Sequence, residues 1–206
     1  MDIIRAGFGD IDLFNHEQLE RGACCFYSSD RLNKYFFEIN GQEAVLHTNS
    51  LLHIDEAIDT FLFYSGFISR IKSPGGRLLR ERVPSPLIEL EVQKIQPSQF
   101  YINKQKLDNC KKWIQSQSDI MIPISNINGK IVSLDGHTRL RAAADLGYQR
   151  IYTYHDDCDD YIAAFAKEAI HRNILSVYDM EVLFDSEYSL KWHKFCDDFF
   201  ERTKRS

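Results

Sequence analysis

Asp135-Gly136-His137-Thr138-Arg139 brings a carboxylate, an imidazole, a hydroxyl and a guanidinium into one short stretch of chain. The β-branched run Ile131-Val132-Ser133-Leu134 leads into the Asp-Gly pair, and an Ala- and Leu-rich run follows as far as Gly147. That order predicts a strand, a tight turn and a helix whose first turn holds His137, Thr138 and Arg139. Backbone N–H groups at such a point lack intrahelical partners, and the helix dipole favours negative charge. An Arg fork and a hydroxyl add donors suited to phosphate oxygens. The expected chemistry is therefore anion binding, with phosphate the best fit.

Each of these residues also has an ordinary role to weigh against the functional one. Asp135 either holds Mg2+ together with phosphate oxygens or caps the helix; without a metal it would repel phosphate. Gly136 supplies a positive φ or close backbone approach under either reading. His137 either touches phosphate or substrate and exchanges a proton near neutral pH, or is a hydrogen-bonded turn histidine. Thr138 donates to phosphate or caps the helix. Arg139 forks onto phosphate or pairs with a neighbouring carboxylate. Arg141 lies on another helix face and reads as a structural or solvated charge.

The rest of the chain must position that turn. With 206 residues, 44% apolar and 27% charged, it can bury a sizeable core in one large or two small domains. The net charge of −5 argues against a broad nucleic-acid footprint. No apolar run reaches the roughly 18–20 residues of a membrane span, and Met-Asp-Ile-Ile-Arg lacks the charged and apolar regions expected of a signal peptide. Five irregularly placed cysteines, Cys24, Cys25, Cys110, Cys158 and Cys196, fit reduced, buried thiols in a cytoplasmic protein.

Residues 1–72 read as a small α+β domain. Strands at 35–39 and 44–47 flank an Asn40-Gly41 hairpin turn, and a helix over 54–70 is aromatic enough to be buried on more than one side. The Pro-, Gly- and Ser-rich stretch 73–86 reads as a linker carrying Arg77, Arg80 and Arg82 as solvated charges. Residues 87–155 read as an α/β domain. Strands are expected at 87–94, 121–126, 130–134 and 150–154, helices at 104–115 and 136–146, and a hairpin turn at Asn128-Gly129. Residues 156–206 read as a helical extension, with a helix at 161–171 and a helix or helix pair at 180–200. Asp156, Asp157, Asp159 and Asp160 match no standard metal spacing and suit a helix start. Trp192, Phe195, Phe199 and Phe200 read as a core stripe.

Several of these motifs, taken in order, carry a resemblance. Ile95-x-Pro97-Ser98 follows a strand; then come a helix, Ile122-Pro123-Ile124, and Asp135-Gly136-His137-Thr138-Arg139 with its Ala-rich helix. This resembles the ParB/sulfiredoxin superfamily over about a third of the chain, and most of all its D-G-H-[TH]-R branch. That branch includes free serine kinases, which use ADP or ATP, and uncharacterised bacterial ParB-like proteins. The resemblance implies an α/β ParB/sulfiredoxin-like fold, a nucleotide (ATP or ADP) held at Gly136, His137, Thr138 and Arg139, and Mg2+ at Asp135. It implies catalytic roles for Asp135 and His137, and a small hydroxylated substrate near Ser98 and Gln99. His137 stands where sulfiredoxins carry their catalytic Cys, and His137-Thr138 where partition proteins carry Glu-Arg. Gln99 stands where the serine kinases carry a Glu, and a neutral amide is no general base. Glu91 and Asp135 are the nearest alternative carboxylates in sequence. The expected function is nucleotide binding with phosphotransfer to a hydroxylated metabolite. The alternatives are a non-catalytic nucleotide-binding regulator and a ParB-like DNA-binding protein or nuclease. The last would need Arg77, Arg80, Arg82, Lys111 and Lys112 to form a basic stripe.

Overall fold

Residues 2–7, 9–22 and 24–204 are described by a computed structural model. The chain divides into two units, Met1–Pro86 and Leu87–Ser206. No helix among the described residues is long and apolar enough to cross a membrane.

Among the described residues the first unit has a six-stranded sheet and two helices. In chain order its elements are β1 (Ile3–Arg5), α1 (His16–Glu20), β2 (Cys25–Ser28), β3 (Lys34–Asn40), β4 (Glu43–Thr48), α2 (Ile54–Tyr64), β5 (Arg70–Lys72) and β6 (Leu78–Glu81). The strands lie in sequence order, and every neighbouring pair is antiparallel except β4 and β5. That parallel pair is the one joined by α2, as a crossover connection requires. Tyr35 and Phe37 alternate inward from β3 and are fully buried, and Phe37 stacks on Phe61 of α2 at 4.0 Å between centroids.

Three expectations for this unit are corrected. The hairpin turn is Gly41-Gln42, because Asn40 still pairs with Glu43; Gly41 takes the positive φ of 58°. The helix stops at Tyr64 instead of running to residue 70, and only one face is buried: Ala57, Ile58 and Phe61 are covered while Phe63 is 82% exposed. Residues 73–86 are not a linker. They contribute β6, whose Arg80 bonds Asp55 and Asp59 while Arg82 donates to the carbonyls of Ile68, Ser65 and Gly66. Those arginines are structural partners within the sheet unit.

The second unit holds β7 (Ile88–Glu91), β8 (Tyr101–Asn103), α3 (Lys104–Trp113), β9 (Met121–Ile127), β10 (Lys130–Ser133), α4 (His137–Asp145), β11 (Arg150–His155), α5 (Asp160–His171), β12 (Glu181–Leu183), α6 (Asp185–Tyr188) and α7 (Lys194–Lys204). This is an α/β arrangement, as expected. The sheet order is β10-β9-β11-β7, with β9 and β11 parallel and the outer pairs antiparallel. Asn128 and Gly129 both have positive φ, 51° and 78°, and close the β9–β10 hairpin in the conformation favoured by right-handed strand twist. Ile122, Ile124, Leu107, Leu140 and Ala143 form part of the core. Side chains buried this completely contribute roughly 1.5–3 kcal/mol each when large and apolar.

The boundary at residue 155 is corrected too. β12 pairs in parallel with β8, which sequence periodicity missed because both strands are three residues long. Residues 156–206 are therefore built into the second unit, and the helix or helix pair expected over 180–200 is a pair, α6 and α7, that begins only at Asp185, after β12. A π turn, Ser189–His193, joins α6 to α7. Phe195 and Trp192 pack edge-on against Phe100 and Phe165, but Trp192, Phe195 and Phe199 are only half-buried and Phe200 is 40% exposed, so the expected core stripe lies at the margin of the core.

Candidate functional site

Two turns meet at one end of β10. Residues 95–98 run beside this strand: the Gln96 N–H donates to the Ile131 carbonyl (2.8 Å) and the Ser133 N–H to the Gln96 carbonyl (3.0 Å). Ser98 thereby arrives where the chain turns from β10 into α4. Its hydroxyl donates to the Ser133 carbonyl at 2.8 Å, and its backbone N–H donates to His137 Nε2 at 3.0 Å. The hydroxyl oxygens of Ser98 and Ser133 lie 3.2 and 3.1 Å from the same nitrogen.

These bonds define the imidazole. A nitrogen that accepts an N–H carries no proton, so neutral His137 is protonated on Nδ1. Burial is the main force pushing its pKa down to about 4; the Asp135 charge opposes this and the Arg139 charge adds to it. The Ser98–His137 contact has the spacing of a nucleophile and its base. Its hydrogen bonds run the other way, since the Ser98 proton points at a carbonyl and the Nε2 lone pair faces the Ser98 N–H.

α4 begins at Gly136, whose φ of 75° is left-handed and whose missing side chain leaves the first turn without an N-cap hydrogen bond. A Cβ at this position would sit 2.8 Å from Ile122 Cδ1 and 3.0 Å from Arg139 Nη2. The Arg139 guanidinium is thus folded against the turn, anchored by donation from Nη1 to the Met121 carbonyl at 3.0 Å. Its Nη2 is 3.7 Å from an oxygen of Asp135, whose side chain is 78% exposed. Thr138 is half-buried, and its hydroxyl has no hydrogen-bond partner among the described residues. The helix ends in a Schellman motif: Gly147 (φ 85°) donates to the Ala144 carbonyl and Tyr148 to that of Ala143.

Gln99 is half-buried, and its amide nitrogen donates to the Tyr101 carbonyl and to Tyr188 Oη. Burial raises the Tyr188 phenol to about 12. Glu91 is tied to Lys94 and Arg150. Arg141 is structural: it donates to the Met180 carbonyl at 2.7 Å and pairs with Asp145. Lys111 also pairs with Asp145 and Lys112 donates to Asn109, so with Arg80 and Arg82 engaged within the first unit, four of the five basic residues weighed for nucleic acid have local partners. The five cysteines form no disulfide among the described residues, and Cys158 and Cys196 are partly exposed instead of buried.

Mg2+ takes six ligands in near-octahedral geometry and needs oxygens beyond one carboxylate. Among the described residues no three His, Cys, Asp or Glu side chains converge to hold a metal. Asp135 alone does not build a protein-held site. An open depression of about 670 Å³, lined by Lys104, Asp108, Lys112, Phe184 and Asp185 among others, shares no residue with the two turns.

Sequence spacing brought forward Ser98, Gln99 and Asp135 to Arg139, and the fold gathers Ser98 with His137 and Asp135 with Arg139. It did not single out Ser133 or Met121, which act through a hydroxyl and backbone carbonyls, nor the hydrogen bond of Tyr188 to Gln99. A carbonyl carries no sequence signature, and the Gln99–Tyr188 pair is 89 residues apart.

No family model and no curated protein matches the chain. Among solved structures it is similar to protein Atu1540 from Agrobacterium tumefaciens, with 14% identity and a TM-score of 0.36 over 49% of this chain and 64% of that one. The chain thus spans just under two thirds of that protein's length.

Proposed function

We propose that the second unit is a ParB/sulfiredoxin-like module that binds the phosphates of a nucleotide, ATP or ADP, at the first turn of α4. One observation carries this reading. α4 starts at a left-handed glycine without a capping side chain or an acidic first turn, and the Arg139 guanidinium is folded onto that start. Helix dipole, N–H groups and the Arg139 charge then favour an anion at this start, and the Asp135 carboxylate, 3.7 Å from Arg139, opposes it unless a cation accompanies the phosphates.

Within this reading, binding is better supported than phosphotransfer. A kinase of this kind needs a base for the acceptor hydroxyl of a serine-like metabolite. Gln99 is an amide committed to Tyr101 and Tyr188, and His137 Nε2 faces Ser98. A nucleotide-binding regulator fits these bonds; a serine kinase would need Asp135 to take the proton.

Calorimetry and thermal shift with ATP and ADP, with and without Mg2+, test the proposal. A ligand at 100 times its Kd stabilises the native state by about 2.7 kcal/mol, which raises the melting temperature. Arg139→Lys is expected to weaken binding about tenfold, since an ammonium cannot reproduce the anchored planar fork. No shift with either nucleotide, or equal affinity in the variant, defeats the reading. Appearance of phosphoserine by ³¹P NMR would favour the kinase over the regulator.

A further inference from the structure

We propose that His137 is a positioning residue: its neutral Nε2 clips the Pro97-Ser98 turn to the start of α4 and so holds the turn on which Arg139 and Thr138 are displayed. The clip itself stands on hydrogen bonds within the second unit. Its consequence for a ligand rests on the phosphate reading above.

The geometry leaves the ring little else to do. His137 is buried, and one lone pair on Nε2 faces a backbone N–H at 3.0 Å and two serine hydroxyls within 3.2 Å. The Ser98 hydroxyl donates elsewhere, to the Ser133 carbonyl. The Ser98 N–H is itself buried, and without an acceptor it would be an orphaned donor of the kind that native folds avoid. His137 is the first residue of α4, directly after Gly136. The same ring therefore satisfies one turn and fixes the backbone of the other. Both turns already flank β10 through Gln96 and Ser133, so a side-chain acceptor at this point joins them without a further element.

Substitution separates a clip from a space-filler and from a ligand contact. Gln at position 137 keeps a long side chain with a terminal acceptor, whereas Leu keeps apolar bulk and loses the acceptor. In the wild-type protein, ¹⁵N NMR is expected to show Nδ1 protonated and Nε2 bare, with a slowly exchanging Ser98 amide. Exchange of that amide should be about tenfold faster in His137→Leu and return towards the wild-type rate in His137→Gln, as expected for one hydrogen bond gained or lost. ATP affinity, measured on the same three proteins, should follow the same order.

A proton on Nε2, or a Ser98 amide that exchanges rapidly in the wild type, overturns the proposal. So does a Leu variant with wild-type Ser98 exchange, or with ATP affinity as tight as the wild type. Should His137→Leu fail to fold, the two wild-type NMR measurements decide alone. If the wild type shows the tautomer and the protected amide yet binds no ATP, the clip stands and the phosphate reading falls.

Discussion

α2 and α4 begin on the same backbone conformation and treat negative charge in opposite ways. Each has its N-cap in the left-handed region, His53 at φ 55° and Gly136 at φ 75°, and in neither does an N-cap side chain accept from a backbone N–H of the first turn. α2 follows with Asp55 and Glu56 at its second and third positions, so the chain supplies its own negative charge to the dipole. There, His53 Nδ1 lies 3.2 Å from Glu56, and Asp55 is paired with Arg80. α4 puts Thr138 and Arg139 at the equivalent positions. A left-handed start is thus no mark of a site by itself. The residues at the second and third helical positions decide whether the first turn itself carries negative charge; in α4 the nearby carboxylate is Asp135, just before the cap.

The largest effect expected from this contrast concerns the buried imidazole that only α4 has. Burial lowers the His137 pKa to about 4 in the folded chain, Arg139 adding to the shift and Asp135 opposing it, against about 6.5 when unfolded. Between these values the unfolded chain binds more protons, so stability rises with pH. The contribution is complete above about pH 6.5 and is lost progressively as the pH falls towards 4. At about 1.4 kcal/mol per unit, the loss is on the order of 3 kcal/mol. Urea unfolding at a series of pH values should show a shallower acid limb in His137→Gln than in the wild type. Superimposable pH profiles would remove the buried neutral imidazole from the account.

Next in size is the left-handed start itself. Gly136→Ala places a Cβ 2.8 Å from Ile122 and 3.0 Å from the Arg139 guanidinium, on a backbone that already disfavours alanine. The expected cost is about 2 kcal/mol, with loss of ATP binding as Arg139 is displaced. His53→Gly at α2 should go the other way, gaining up to about 1 kcal/mol by relieving the same strain. Denaturation midpoints of the two variants shifting in the same direction would break the equivalence of the two helix starts.

Much of this was legible in the sequence, for identifiable reasons. The Asn128-Gly129 turn, the Ala-rich helix and its Gly147 stop are encoded by neighbours in the chain, and the structure has each of them. The pairing of Ser98 with His137 spans 39 residues and depends on residues 95–98 lying beside β10, which no local pattern specifies. Arg139 was legible as a cation at a helix start but not as one anchored to the Met121 carbonyl. Residues 73–86 look like a linker because Pro, Gly and Ser dominate their ends, yet four residues between them complete a sheet whose edge is chosen by tertiary pairing. Composition reports how willing a segment is to form a turn and says nothing of what its remaining residues pair with.

The smallest effects come from exchanging the residue at the second helical position. Thr138→Asp gives α4 what α2 already has. It should stabilise the second unit by about 0.3–1 kcal/mol through the dipole and, by the same charge, weaken ATP binding. Asp55→Thr makes the opposite change in α2, costing a similar amount and removing one of the two carboxylates paired with Arg80. The signs matter more than the sizes, because opposite stability shifts in two helices with the same start isolate the charge at that position from backbone strain. If Thr138→Asp stabilises the protein while ATP affinity stays at the wild-type value, phosphate does not sit on the first turn of α4. The difference between the two helices would then be one of stability alone.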